Sequence, residues 1–238
     1  MKNYLTVISE RYDRQKLDSL KPDYGSPVQT RLDTLFRNVL KSLDMDFQNI
    51  QILDVGCGKG RWTRLISEVT HRPQNITGLD ASGSAISICV SLSPHIDYYS
   101  CDIIKDKIRG KFDVILTMDL FMHFRTREEI SLALKNIHQA LASNGKFIFY
   151  DAYAKNHFET SDSQESQGFH PKEIEQLISQ TGFVKLSEFH IFKTFFGKFH
   201  SSYFYDRLPF SLIRLLEILV PSPPGNFFQI YSKKEIVK

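Results

Sequence analysis

Residues 50–62 read Ile50-Gln51-Ile52-Leu53-Asp54-Val55-Gly56-Cys57-Gly58-Lys59-Gly60-Arg61-Trp62, a short β-rich run followed by three glycines at alternating positions and then a helical pattern. Glycines at such a turn permit positive φ and let backbone amides approach a ligand closely where a helix begins. The spacing is Gly-x-Gly-x-Gly, with an acidic residue, Asp54, two positions before the first glycine. A dinucleotide fold uses Gly-x-Gly-x-x-Gly instead, and here Arg61 follows Gly60. The ligand of this turn need not carry a pyrophosphate.

Outward from the turn, short β-rich runs alternate with helical patterns as far as about Tyr150, the signature of βα units on a parallel sheet. Four strands stand out, at Gln51 to Val55, Asn75 to Asp80, Phe112 to Met118 and Gly145 to Asp151, with a weaker one at Ile96 to Ser100. Before the last of them, Ile130, Leu134, Ile137 and Leu141 share a helical face, and Thr126 with Glu129 forms a capping box. Asn144-Gly145 is expected to end that helix.

Two acidic residues follow strand ends. Asp80 closes the second strand, where a carboxylate can accept hydrogen bonds from both hydroxyls of a ribose, and Asp102 follows the weaker strand. The succession ILDVGCGKG, GLDAS, CDI, FDVILTMDLFMHF and LKNIHQALASNGKFIFYD resembles the successive motifs of the class I S-adenosylmethionine (SAM)-dependent methyltransferases. The resemblance runs from roughly Arg11 to Phe192, and it is specific as a set where a lone glycine turn would be weak. It implies SAM as cofactor. It also implies that Asp54, Gly56, Gly58 and Gly60 hold the methionine part, Asp80 the ribose, and Asp102 with Ile103 the adenine. Cys57, Ala81 and Met118 complete the candidate set in the core. Related enzymes close an N-terminal Tyr over the cofactor and meet its carboxylate with an Arg, which points to Tyr12 and Arg31; an exposed charge and a packed ring are the plainer alternative.

The expected fold is α/β, a Rossmann-like doubly wound seven-stranded sheet. Residues 1–48 are read as an N-terminal helical cover, with a helix from about Gln29 to Leu43, and residues 49–238 as the cofactor-binding core. After Asp151, the polar run Glu159 to Gly168 reads as a mobile loop. A helix with Pro171 near its first turn and Gly182 beyond its end comes next, then strands at Phe183 to Phe192 and Phe227 to Ser232. A helical insert, about 193–225, lies between those last two strands.

A methyl transfer needs its acceptor aligned, and a hydroxyl acceptor must also lose a proton. In Thr117-Met118-Asp119-Leu120-Phe121-Met122-His123-Phe124, His123 is the candidate catalytic base, since histidine ordinarily titrates at about 6.5. A packing or orienting role is the alternative. The chain has no Asn/Asp-Pro-Pro-aromatic motif and no Pro-Cys nucleophile, which disfavours nucleic-acid bases as acceptors. Asp119, Asp151 and Asn156 could ligate a metal by position, but Ala152 follows Asp151, and no metal is expected. A small-molecule acceptor methylated at oxygen is the favoured reading. Nitrogen methylation, RNA modification and a catalytically silent binding protein remain as alternatives.

Tyr153 and His170 are candidate acceptor-binding residues, although His170 also suits a loop position before Pro171. In the insert, Phe195, Phe196, Tyr203 and Tyr205 precede a helix from about Leu208 to Val220. Tyr203 and Tyr205 are the further acceptor-wall candidates. That helix is apolar on two sides, so a partner subunit, a greasy substrate or a membrane surface stands open for one of them, beside a cap packed wholly on the sheet.

The bulk numbers set the frame. With 238 residues and 42% hydrophobic content the chain can bury one sizeable core, which favours one domain with additions. Thirty Lys and Arg against 27 Asp and Glu leave a net charge of +3, too mild to argue for a phosphate-backbone partner. Cys57, Cys89 and Cys101 form no CxxC pair and are odd in number, which suits a reducing cytoplasm. No apolar run approaches the roughly 18 residues of a spanning helix, so a soluble protein is expected.

Overall fold

The computed structural model describes residues 27–154, 168–190 and 226–234, together with helical positions 211, 212, 215 and 219. Its elements are α1 (Pro27–Lys41), β1 (Ile52–Val55), α2 (Arg61–Thr70), β2 (Ile76–Asp80), α3 (Gly83–Leu92), β3 (Asp97–Ser100), β4 (Phe112–Met118), α4 (Arg127–Ala140), β5 (Leu141–Asp151), α5 (Pro171–Gln180), β6 (Phe183–His190) and β7 (Phe227–Lys233). The strands form one seven-stranded sheet in the order β3-β2-β1-β4-β5-β7-β6. Strands β1 to β5 pair in parallel, while β7 is antiparallel to both β5 and β6. This is the expected doubly wound sheet, and all seven expected strands are present.

The central strands are apolar on both faces because helices cover both. Along β4, Val114, Leu116 and Met118 belong to a core shared with Phe36 and Leu40 of α1 and Trp62 and Ile66 of α2. The intervening Ile115 belongs to the opposite core, with Ile130, Leu134 and Ile137 of α4 and Ile174 and Ile178 of α5. On β5 the same alternation sends Ile148 and Tyr150 one way and Phe147 and Phe149 the other. A fully buried Phe or Leu contributes about 1.5–3 kcal/mol, so these two layers carry the fold. Phe36 meets Trp62 edge-on at 5.1 Å between ring centroids and stacks on Phe228 at 6.0 Å, which seats α1 on the sheet.

The capping box at the start of α4 is present in both halves. Its expected end is not. The helix stops at Ala140, and Leu141 is already extended, at φ −68° and ψ 138°, pairing with Phe112 across a bulge. Gly145 belongs to the strand: a Cβ there would stand 2.9 Å from the Asp113 carbonyl oxygen and 2.7 Å from Leu141 Cδ1. The glycine therefore serves close approach of two backbones rather than a helix stop.

Tyr12, Tyr203 and Tyr205 lie outside the described residues, as do residues 155–167 of the polar segment, most of the insert, and the side chain of Arg31. Of the insert helix, Leu212, Leu215 and Leu219 are exposed. No helix among the described residues is long and apolar enough to cross a membrane.

Candidate active site

In a doubly wound sheet, ligands bind beyond the carboxyl ends of the strands where the strand order reverses. Here that point lies between β1 and β4. A cleft of about 310 Å³ opens there, lined by the glycine turn (Val55, Gly56, Cys57, Gly58, Lys59), Trp62, the end of β2 (Leu79, Asp80, Ala81), Cys101, Asp102, Ile103, the end of β4 (Met118, Asp119, Leu120) and His123. That volume is on the scale of a small-molecule site, roughly 300–1,000 Å³.

The turn is held from β2. Gly56 and Cys57 both donate their backbone N–H to the Leu79 carbonyl, at 2.8 and 2.9 Å. Gly58 donates to Asp80 Oδ2 at 2.9 Å, and Ser82 to Asp80 Oδ1 at 2.8 Å. Gly56 sits at φ +73°, where an L side chain is strained, and a Cβ there would also press on Leu120 Cδ1 at 2.7 Å. Gly60, at φ +74°, starts α2 but does not line the cleft; a Cβ on it would meet Arg64 Nη1 and Cys89 Sγ, both at 3.0 Å, on the far side of the turn. Its work is packing and turning.

Asp54 also lies beneath the cleft rather than in it. Its side chain is buried, Oδ2 accepts from the Thr63 hydroxyl at 2.5 Å, and Oδ1 has no partner among the described residues. Burial pushes its carboxyl up to about 7, with the Thr63 hydrogen bond opposing and the Asp80 charge adding. Asp80 is raised by the same desolvation, opposed by the backbone amides of Ser82, Gly58 and Ala81. Each Asp80 oxygen accepts one backbone bond, which leaves acceptor capacity on both for a ligand in the cleft.

Asp102 lines the cleft while bonding its own turn. Its Oδ1 accepts from Ile104 N at 3.1 Å, and Lys105 Nζ stands 3.0 Å from Oδ2. Ile103 is fixed from behind, where its carbonyl accepts from Asn136 Nδ2 of α4 at 2.8 Å. The sequence-derived set Gly56, Cys57, Gly58, Asp80, Ala81, Asp102, Ile103 and Met118 thus comes together on one cleft, with His123 at its edge.

His123 ends a 3-10 turn, Phe121–His123, after β4. Asp151, at the end of β5, pins that turn: its Oδ2 accepts from Met122 N at 3.0 Å and its Oδ1 from Ala152 N at 2.9 Å. Tyr153 and His170 stand beside each other, 6.4 Å between ring centroids, but neither is among the described residues that line the cleft. His170 Nδ1 accepts from Lys172 N at 3.3 Å and so caps α5, as its position before Pro171 allows. Trp62, Lys59, Leu120, Cys101 and Asp119 line the cleft without having been singled out for it. Among the described residues no cluster of three metal-ligating side chains occurs.

The chemistry of this lining fits SAM. Glycine backbone forms the floor, Leu79, Ile103, Met118 and Trp62 offer apolar walls, and Asp80, Asp102 and Asp119 supply carboxylates for ribose hydroxyls and cationic groups. Three carboxylates around one cleft would repel a pyrophosphate.

Comparison with known proteins agrees. Residues 52–145 match a family model described as a methyltransferase domain. A malonyl-[acyl-carrier protein] O-methyltransferase of Bacillus cereus is 24% identical over 203 residues, which cover 83% of this chain and 72% of that protein. A ubiquinone biosynthesis O-methyltransferase of Pelagibacter ubique is 34% identical over 113 residues, 44% of this chain and 43% of that one. Among solved structures, the N-methyltransferase NodS of Bradyrhizobium japonicum bound to S-adenosylhomocysteine has a TM-score of 0.65 at 14% identity, covering 98% of this chain and all of the other. At that identity the likeness shows the fold alone. Residues 52–145 form a methyltransferase domain on this fold; the chain is a SAM-dependent methyltransferase, and SAM is its cofactor.

Proposed function

We propose that the protein methylates a small-molecule acceptor at oxygen, and that the acceptor enters the cleft from the side of β4 and His123. The observation that carries this reading is the arrangement of the cleft. Asp80 and Asp102, at the β2 and β3 side, suit the nucleoside of the cofactor, so the opposite end, at Met118, Asp119 and His123, is left for the acceptor. Two curated relatives named above are O-methyltransferases of small or carrier-bound molecules, which supports oxygen.

Bound SAM supplies an electrophilic methyl group. The chain supplies the rest. Asp80, braced by Gly58 N, holds the ribose end, Asp102 and Ile103 flank the adenine, and the glycine turn carries the methionine part. His123 takes the proton that a hydroxyl acceptor loses, and Asp151 fixes the turn that presents it. A nitrogen acceptor is the second reading, favoured by the fold likeness to the N-methyltransferase NodS.

The test is label transfer from methyl-labelled SAM to a panel of small hydroxylated compounds, small amines and bulk transfer RNA. Label on hydroxylated compounds, lost in His123→Ala while S-adenosylhomocysteine still binds, is the expected result. Label on amines alone overturns oxygen, and label on RNA alone overturns the small-molecule acceptor.

A further inference from the structure

At the acceptor end of the cleft the main chain takes an uncommon path. Asp119, the first residue after β4, sits at φ +53°, in the left-handed region, where non-glycine residues are uncommon and mark strain or function. The strand register reaches Met118, opposite Tyr150, and Asp119 N still donates to the Tyr150 carbonyl at 3.1 Å. Its flanking residues Met118 and Leu120 are buried, whereas the Asp119 side chain lines the cleft half-buried. No described group donates a hydrogen bond to its carboxylate.

The charges around it explain why that carboxylate is kept for a ligand. Asp151, the other acid at this end, is fully buried and consumed by the backbone amides of Met122 and Ala152. Arg61 is the cation that acts on Asp119, but its guanidinium is already paired with Asp33 of α1 and packed over the Trp62 ring, 4.2 Å from the centroid. The result is a half-buried carboxylate at the cleft wall, backed by a second acid and without a hydrogen-bonded partner among the described residues. Burial pushes Asp119 up to about 6, with Arg61 opposing.

We infer that Asp119 is a specificity-determining residue: its carboxylate faces the position of the transferring methyl group, admits an acceptor that presents a hydrogen-bond donor or a positive charge there, and rejects one that presents an acid. This rests on the reading of the cleft as the SAM site with the acceptor at its β4 end. A carboxylate or phosphate placed against Asp119 would meet like charge in a partly desolvated site, where repulsion is poorly screened. A hydroxyl or ammonium would instead complete its missing hydrogen bond.

Sinefungin tests this without knowledge of the acceptor, because it carries an ammonium where SAM carries its sulfonium methyl, while S-adenosylhomocysteine carries nothing beyond sulfur. Calorimetry on the full chain should show sinefungin binding at least tenfold more tightly than S-adenosylhomocysteine. In Asp119→Asn, which tolerates the left-handed backbone, the ratio should fall below threefold while S-adenosylhomocysteine binding stays within twofold. Asp119→Ser gives the same readout should the Asn variant not fold. Equal affinity for the two ligands in the unmutated protein overturns the inference. So does an equal loss of both ligands in the Asn variant, which would assign the carboxylate to the amino group of the methionine part. If neither ligand binds the unmutated protein, the SAM reading fails and takes the inference with it.

Discussion

The backbone N–H of Gly58 donates to Oδ2 of Asp80 at 2.9 Å, so the glycine turn after β1 and the carboxylate that ends β2 form one hydrogen-bonded unit. A turn of this kind cannot hold itself, because its own residues are short and its glycines flexible. Asp80 supplies the fixed point, being itself held by Ser82 N at 2.8 Å. The same carboxylate shapes the turn and lines the cleft.

Replacement of Asp80 by Ala should weaken S-adenosylhomocysteine by about 1.5–3 kcal/mol, the range for hydrogen bonds to a charged group. Asp80→Asn keeps one oxygen acceptor and should lose less. Calorimetry measures both, and unchanged affinity in the Ala variant would put the ribose elsewhere.

Gly56→Ala should lower both melting temperature and cofactor affinity, since φ is +73° and the new Cβ would stand 2.7 Å from Leu120 Cδ1. The left-handed conformation alone costs an L-residue roughly 1–2 kcal/mol. Gly83→Ala is the control: nothing lies within 4 Å of its Cβ position, at the start of α3, so that variant should be as stable as the parent or slightly more so.

How far these features could be read in advance depended on how local their causes are. The strands of the core were legible because β1, β2 and β4 are buried on both faces and so carry short runs rich in apolar and β-branched residues. Asp80 and Asp102 were legible because their places follow from strand ends. The end of α4 was not, because Leu141 continues the helical periodicity yet is buried by pairing with Phe112, a contact 29 residues away in sequence that no local pattern contains. Asp54 and Gly60 were read as part of the ligand surface, but the turn folds them to its underside, against Thr63 and Cys89. The left-handed backbone of Asp119 was not read in the sequence; it lies where β4 ends, with Asp119 N donating to the Tyr150 carbonyl of β5.

The buried acids predict a pH dependence. Asp54 rises from 3.8 to about 7, so the folded state binds its proton more tightly than the unfolded chain does. Stability from this group is therefore full below its unfolded pKa and is lost as pH climbs from about 4 through about 7. The stability of the wild type relative to Asp54→Asn should fall by about 2–3 kcal/mol between pH 5 and pH 8, at 1.36 kcal/mol per unit. Urea unfolding of the cofactor-free proteins at the two pH values checks this. A constant difference would mean that Asp54 keeps an ordinary carboxylate pKa in the fold.

The central claim, that the cleft over β1, β2 and β4 takes SAM, is tested most directly by isothermal calorimetry of the full chain against SAM, S-adenosylhomocysteine and NAD. The account predicts one-to-one binding of SAM and S-adenosylhomocysteine, weakened in Asp80→Ala, and no measurable binding of NAD. Binding of NAD without binding of SAM would contradict it.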